Sequence, residues 1–250
     1  MAEEDPLLRT EELTKNFGAL VANDNVTFGV EEGEVRGIIG PNGSGKSTFF
    51  NNITNFYTPD SGHVYFDGEE ITGMKPHLIS QRGLVRTFQI VTPFEDLTVE
   101  ENLLAVYSKG IRISKEKRER AREVLDLVDL DHVADHEASD LSGGQQKLLE
   151  FARALMLDPK CVMLDEPTAG INPALQDRLL DYIRKMNDQG TTFVIVEHDM
   201  NVIQDITTSV SVFSKGRIIA EGAFDEVKEL ETVQEAYLGG EMDGEAEVLS

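Results

Sequence analysis

Residues 40–48, GPNGSGKST, have the composition and spacing of a loop that binds phosphate. The run follows a short apolar stretch, VRGIIG, and precedes a segment with a helical pattern. Its three glycines allow successive backbone N–H groups to face inward on a phosphate. Lys46 would bring a compact positive charge to the terminal phosphates, and the Ser47 hydroxyl can ligate Mg²⁺. The loop therefore predicts a nucleoside triphosphate and Mg²⁺ as ligands.

Two carboxylates end a second apolar run, CVMLDE at 161–166. At the carboxyl end of a strand beside a phosphate site, Asp165 can hold the water shell of Mg²⁺. Glu166 can polarise the attacking water as a general base. A strand end followed by a solvated turn is the alternative for such a pair. The phosphate loop favours the catalytic interpretation, because that loop needs a carboxylate partner.

Three single residues are further candidates, each with a structural alternative. Gln89, in RTFQ, can touch the metal or the attacking water or join the two subdomains, or it is an ordinary residue at a strand end. His198, after TFVIVE, can donate to a γ-phosphate, or it is a solvated histidine. Phe17 can stack on an adenine, or it belongs to the core.

A second helix start, LSGGQ at 141–145, has the features of an anion site but no lysine. Ser142 is a natural N-cap, and Gly143 and Gly144 permit close backbone approach. Because the phosphate loop already encloses its own nucleotide, this turn is useful when it meets the γ-phosphate bound to another copy. Two copies related by a two-fold axis would then enclose two nucleotides. A simple capped helix start is the alternative, but it does not explain two adjacent glycines.

Strand and helix patterns alternate around these motifs, which predicts an α/β fold. Three nearly continuous apolar runs, at 35–40, 161–166 and 192–198, indicate buried parallel strands. LLRTEEL, NVTFGV, HVYFDG and RIIAEG indicate edge or antiparallel strands, and GLVRTFQ indicates another strand. Helices are predicted at about 46–55, 98–107, 115–129, 144–157, 173–188 and 199–206. The largely helical region 91–158 lies between strand-rich stretches, which predicts an inserted helical subdomain.

Composition limits the classes of partner and location. The 250 residues hold 23 Lys and Arg against 46 Asp and Glu, a net charge of −23, which argues against nucleic acid as a main partner. One cysteine excludes an intrachain disulfide framework and fits a reducing cytosol. Acid spread along the chain and scarce lysine favour a halophilic composition, suited to a salt-rich cytoplasm, and an ordinary acidic cytosolic protein is the alternative. The start, MAEEDPLL, lacks the features of a signal peptide.

Together the motifs resemble the ATP-binding subunit of ABC transporters. GPNGSGKST resembles its Walker A loop, TFQ its Q-loop, LSGGQ its signature, CVMLDE its Walker B strand, AGIN its D-loop and VEHD its switch histidine. VRTFQ, PFEDLTVEENLL, EPTAGINP, VEHDM and AYLGGE are similar to the branched-chain amino acid importers. Asn172 stands where the D-loop often has Asp, and it can form hydrogen bonds but carries no charge.

The resemblance implies a P-loop NTPase core, with a mixed sheet and an antiparallel β subdomain, plus the inserted helical subdomain. The whole chain would be one ATPase domain, with its core at about 1–90 and 159–238, its helical subdomain at 91–158 and an acidic tail at 239–250. It implies roles for individual residues, with Glu166 as catalytic base, His198 as γ-phosphate sensor and Gln89 as the link to the membrane partner. The implied metal site is Ser47, Gln89 and Asp165. The implied nucleotide site is Phe17, Gly40, Pro41, Asn42, Gly43, Ser44, Gly45, Lys46, Ser47 and Thr48, with Ser142, Gly143, Gly144 and Gln145 from the partner.

The implied activity is ATP hydrolysis that powers an importer, with branched-chain amino acids as cargo and ATP and Mg²⁺ as cofactors. Urea uptake or lipid export are the alternatives, because other subunits select the cargo. The implied partners are a second copy or a related cassette, and transmembrane permease subunits at the cytoplasmic face of the cell membrane. A chromosome-organising ATPase would need a long coiled-coil insertion, and a ribosome-acting ABC protein usually has two cassettes in one chain. Neither feature occurs in this sequence.

Overall fold

The computed structural model describes residues 5–87, 93–107 and 113–237. The chain divides into two compact units, and each has its own set of strands and helices. The first unit comprises residues up to Ile79 together with those from Thr192 onward, and the second comprises Ser80–Thr191. A search of the described residues finds no helix with the length and apolar character needed to cross a membrane.

An antiparallel sheet in the first unit has the strand order β2-β1-β4-β5. Its strands alternate between buried and exposed residues, so one face is packed and the other meets solvent. Three of the four match predicted strands. The bounds are Leu8–Phe17 for β1, Leu20–Val30 for β2, Ser61–Phe66 for β4 and Glu69–Glu70 for β5.

Parallel strands form the buried sheet of the same unit. The strand β3 (Val35–Ile39) pairs in parallel with β8 (Thr192–Val196) on one side and with β9 (Ser209–Ser214) on the other. An antiparallel strand, β10 (Arg217–Gly222), pairs with β9 and makes this sheet mixed. The predicted α/β class is therefore confirmed. The strand β9 was not predicted, because SVSVFS alternates serine with apolar residues and reads as a solvated segment.

The helices α1 (Lys46–Ile53), α7 (Met200–Ile206) and α8 (Phe224–Val227) belong to the first unit. Residues 231–237 are also helical. Phe49 of α1 is fully buried, and its ring lies between those of Phe28 on β2 and Phe213 on β9, at centroid distances of 5.3 and 5.1 Å. This contact fixes α1 against strands of both sheets.

The second unit is mainly helical around a short parallel pair of strands, β6 (Leu84–Arg86) and β7 (Cys161–Asp165). Its helices lie within a few residues of their predicted bounds, and the last matches at both ends. They are α3 (Val99–Leu104), α4 (Lys115–Leu127), α5 (Gly143–Leu155) and α6 (Pro173–Asp188), with 3₁₀ turns at Asp131–Val133 and Ala138–Asp140; α2 (Pro76–Ser80) lies at the boundary of the units.

Side-chain caps explain where these helices begin. Thr98 and Ser142 form reciprocal capping boxes with Glu101 and Gln145, three residues later. Asn172 caps α6 through a 3.0 Å bond from the Leu175 N–H to its side-chain oxygen. These polar residues satisfy N–H groups that a helix start would otherwise leave unpaired.

Candidate active site

The phosphate loop, residues 40–48, joins β3 to α1 within the first unit. Gly40 has φ +146°, and a Cβ there would lie 2.2 Å from the Phe213 carbonyl oxygen. Gly45 has φ +107°, and a Cβ there would lie 2.3 Å from the Ala22 carbonyl oxygen. Backbone crowding as well as dihedral angle therefore requires glycine at both positions.

Polar atoms converge inside this loop. The Lys46 ammonium is buried and donates to the carbonyl oxygens of Gly40 and Pro41, at 2.7 and 3.0 Å. Within the described residues, the buried Ser44 hydroxyl has no hydrogen-bond partner. Helix α1 also begins without a side-chain cap. An anion at this helix start would satisfy the hydroxyl and the uncapped N–H groups together, so the loop fits a phosphate group.

Two buried amides brace the phosphate loop, and sequence reasoning missed both. Asn23 on β2 donates to the Gly45 carbonyl oxygen at 3.2 Å, and Asn52 on α1 donates to the Asn23 side-chain oxygen at 2.9 Å. The turn between β9 and β10 adds a third contact, because the Gly216 N–H donates to the Ser44 carbonyl oxygen at 2.9 Å. The loop is thus fixed by strands far away in the sequence.

Phe17 lies at the end of β1, and the residue is 44% exposed. Its ring meets the Tyr57 ring edge-on at a centroid distance of 5.3 Å. Asp60 ties this hairpin to the segment after α1, accepting from the Asn16 N–H at 2.6 Å and from the Lys15 ammonium at 3.0 Å. Phe17 is therefore a supported, accessible aromatic surface rather than a core residue, which suits a stacking role.

His198 follows β8 and is exposed, and its backbone N–H is held by the Glu197 carboxylate at 3.1 Å. Ser47 is also exposed, in the first turn of α1. Gln89, which was predicted to touch the metal or the water, lies outside the described residues. The roles assigned to these three side chains stay predictions.

The predicted carboxylate pair lies at the end of β7 in the second unit. Asp165 is buried, and its carboxylate forms an ion pair with Arg86 of β6 at 2.8 Å, with both side chains 7% exposed. Sequence reasoning missed Arg86, although it stands three residues before the predicted Gln89. Glu166, directly after the strand, has φ +49°, a left-handed conformation that is uncommon for a residue with a side chain. The backbone therefore changes direction at the residue predicted to be the base.

The second predicted anion site is the signature turn, residues 142–145. The Ser142 hydroxyl accepts from the Gln145 N–H at 3.3 Å, and the Gln145 side-chain oxygen accepts from the Ser142 N–H at 3.0 Å. Both side chains are therefore used in the cap. Among the described residues, the N–H groups of Gly143 and Gly144 have no acceptor, as expected for the first turn of a helix.

The two glycines of this turn differ in their surroundings. A Cβ on Gly144 would lie 2.4 Å from the Leu175 side chain of α6, whereas a Cβ on Gly143 would have no neighbour within 4 Å among the described residues. Neither glycine has positive φ. Packing within the chain explains Gly144, but no described contact explains Gly143.

Comparisons with protein families, with individual proteins and with solved structures all identify the same kind of relative. The sequence matches the family described as ABC transporter over residues 23–169. A probable branched-chain amino acid transport ATP-binding protein, LivG of Archaeoglobus fulgidus, is 42% identical over 94% of this chain and 96% of its own length. A crystal structure of the ADP conformation of an ATP-binding cassette of an ABC transporter matches with a TM-score of 0.85 and 40% identity, over 93% of this chain and 98% of that one. A dimeric cassette in a post-hydrolysis state, bound to ADP and Pi, matches with a TM-score of 0.76 and 30% identity, over 87% of this chain and 98% of that one.

Proposed function

The chain belongs to the ABC transporter family of ATP-binding cassettes, and from this premise we propose that it powers the import of branched-chain amino acids. It is an ATPase, as members of this family are. The cargo is supported by the 42% identity to a relative named for branched-chain amino acid transport, over nearly the full length of both chains.

The observation that carries the proposed mechanism is that no described contact within the chain accounts for a glycine at position 143. A glycine lowers helix stability relative to alanine by roughly 0.5–1 kcal/mol in a helix interior, which is the upper limit for this first-turn position. No described neighbour and no backbone angle of the chain requires it. A surface that must come very close to a ligand held by another molecule does require it, and the N–H groups beside it can bind an anion. The turn therefore suits the γ-phosphate of ATP held by a second cassette.

We assign roles to residues on this basis. Charge that develops on the γ-phosphoryl oxygens would be stabilised by Lys46 of one copy and by the N–H groups of Gly143 and Gly144 of the other. Glu166 would accept a proton from the attacking water as its oxygen bonds to phosphorus and the bond to the ADP oxygen breaks. His198 would contact the γ-phosphate, and Phe17 would stack on the adenine.

We propose three residues as ligands of Mg²⁺. The exposed hydroxyl of Ser47 and the carboxylate of Asp165 are oxygen ligands of the kind that this ion prefers, and Gln89 completes the proposed set. When bound, the ion would neutralise phosphate charge. Arg86 holds the Asp165 carboxylate in one orientation by the ion pair described above.

The proposed assembly is a dimer, formed with a second copy or with a related cassette, beneath permease subunits at the cytoplasmic face of the cell membrane. The dimeric relative bound to ADP and Pi supports the pairing of two cassettes. Each chain would keep the domain division predicted from its sequence, with residues 91–158 as the helical subdomain.

The Glu166→Gln variant tests the assembly. It should bind ATP, form a stable dimer on size-exclusion chromatography and hydrolyse ATP very slowly. Ser142→Arg should bind ATP as the wild-type chain does but neither dimerise nor hydrolyse. In the proposed trans site, the phosphate loop of one chain and the signature turn of the other bind the same ATP. A wild-type chain that stays monomeric at every ATP concentration and still hydrolyses ATP at full rate would refute this site.

A second experiment tests the cargo. The complex captured from native membranes with a tagged chain, identified by mass spectrometry, can be reconstituted in vesicles with ATP on the cassette side. We expect ATP-dependent uptake of labelled leucine, isoleucine or valine. Uptake of urea, or export of lipid, with no amino acid uptake would overturn the cargo assignment and leave the ATPase assignment intact.

A further inference from the structure

Residues 166–171 connect β7 to α6 without forming a helix or strand. Two weak turns shape this connection, from the Ala169 N–H to the Glu166 carbonyl oxygen at 3.2 Å and from the Ile171 N–H to the Thr168 carbonyl oxygen at 3.4 Å. Thr168 is buried, whereas Ala169 and Gly170 at the tip of the segment are exposed. Polar contacts from elsewhere can therefore help to fix the exposed tip.

Lys147 supplies such contacts. It lies on α5, five residues after the cap Ser142, and its side chain is partly buried. The ammonium donates to the carbonyl oxygen of Pro167 at 3.4 Å and also to that of Ala169. One charged donor therefore binds two carbonyl groups of the connection, and hydrogen bonds from charged groups are the stronger ones.

A second contact joins the same two parts of the chain. The Leu175 side chain of α6 occupies the space where a Cβ of Gly144 would lie. The signature turn thus packs on the start of α6, while Lys147 ties the next turn of α5 to the connection before α6. The two contacts lie on either side of Asn172, which caps α6.

We propose that Lys147 is a positioning residue that holds the 166–171 connection and the signature turn as one rigid unit, which a second copy of the chain meets as a whole. The inference rests on the proposed dimer. In such a dimer the signature turn acts on the partner's nucleotide, so an error in its placement relative to the connection would lower turnover at the partner's site. Nucleotide binding to the chain's own phosphate loop would not change.

Three variants test this role. Lys147→Met keeps most of the side-chain length but removes the charge, and we expect kcat to fall about tenfold to a hundredfold, the effect of losing hydrogen bonds from a charged donor. The affinity of the variant for a fluorescent ATP analogue should stay at the wild-type value. Lys147→Arg keeps a donor and should recover most of kcat. Lys115→Met is the control for loss of a lysine, because that side chain is 84% exposed, and it should behave as wild type.

Mixed dimers distinguish action on the partner's site from action on the chain's own site. Lys46→Ala removes the phosphate-loop lysine and leaves Lys147 intact. A dimer of Lys46→Ala with Lys147→Met contains one site with an intact phosphate loop from one chain and an intact signature turn from the other. The mixture should therefore hydrolyse ATP at a rate well above that of either variant alone.

Ser142→Arg mixed with Lys46→Ala is the reference for this experiment. If the reference recovers activity and the Lys147→Met mixture does not, Lys147 acts on its own site and the inference is wrong. If the reference fails to recover, the proposed trans site is wrong and the inference falls with it. Wild-type kcat in Lys147→Met alone would also overturn it.

Discussion

Gly143→Ala is expected to stabilise the folded chain and to slow its ATPase. The substitution adds a methyl group to the first turn of α5, at a position with ordinary helical backbone and with no neighbour within 4 Å in the part of the chain that the structure describes. Alanine is the better helix former by roughly 0.5–1 kcal/mol in a helix interior, and by no more than that in the first turn. For a chain of this size, 1 kcal/mol shifts the thermal midpoint by roughly 2–4 °C, so the midpoint should rise by up to about 4 °C.

Gly144→Ala is the matched comparison, because it makes the same chemical change one residue later. Its methyl group would lie 2.4 Å from Leu175 Cδ2, closer than any relaxed contact. The nearest atom is the far end of a half-buried leucine side chain, so rotation of Leu175 relieves part of the overpacking, and the net cost after the gain in helix propensity is up to about 2 kcal/mol. The midpoint should therefore fall, by up to about 8 °C at the upper end of that range. Shortening the neighbour in Gly144→Ala/Leu175→Ala should recover part of the loss, with a coupling energy of about 0.5–3 kcal/mol.

The assay is thermal unfolding by circular dichroism without nucleotide, followed by ATPase kinetics on the same preparations. Gly143→Ala should combine a higher midpoint with a lower kcat, since its methyl group holds the partner's phosphate away from the helix start. A higher midpoint with unchanged kcat would refute the argument that Gly143 serves a ligand from outside the chain. A lower midpoint for Gly143→Ala would show that the added methyl group meets a neighbour within the chain.

Four other perturbations have defined outcomes. Arg86→Gln leaves the buried carboxylate of Asp165 without its ion-pair partner, and should lower the free energy of unfolding by about 3–5 kcal/mol in urea titrations. Tyr57→Ala removes the ring that supports Phe17, and should weaken ATP binding in fluorescence titrations while Tyr57→Phe leaves it unchanged. The pKa of Glu34 lies below its usual value, because hydrogen bonds from Arg36 and Ser209 outweigh the opposing effect of burial. This lowered pKa stabilises the fold above about pH 4.5 and the stabilisation is lost as pH falls through the folded-state value, so Glu34→Gln should be less stable at neutral pH and lose less stability on acidification. The net charge of −23 predicts that the wild-type midpoint rises with potassium chloride concentration, and a salt-independent midpoint would remove the halophilic interpretation.

The sequence predicted most of the elements because they carry strong local signals. Helix α6 was predicted at its observed bounds, since a capping Asn172 and a following proline mark its start and its apolar residues recur at helical spacing. The strands β3, β7 and β8 were predicted because buried parallel strands are continuous apolar runs. The strand β9 has no such run, and Ser211 within it is buried because the strand pairs with β3, which the local sequence does not indicate.

The parts of the site that were missed depend on contacts between distant residues. Asn23 and Asn52 are 29 residues apart, and neither belongs to a motif, yet together they brace the phosphate loop. Arg86 and Asp165 are 79 residues apart and meet because β6 and β7 pair in parallel. A motif identifies groups that contact the ligand through the chemistry of one short segment. It contains no information about which residues of other segments hold those groups in place.

The difference between the two helix starts has a physical explanation. At α1 the backbone N–H groups have no side-chain cap, and Lys46 lies within the loop where it can bind the terminal phosphates. At α5 the hydroxyl of Ser142 satisfies the Gln145 N–H, which leaves the neutral amides of the two glycines for an external anion. Lys46 lies against carbonyl oxygens of its own loop, whereas a lysine side chain in the first turn of α5 would stand between that turn and a phosphate held by another chain. The lysine of this helix is instead Lys147, one turn further on, where it binds the 166–171 connection and leaves the phosphate contact to bare backbone.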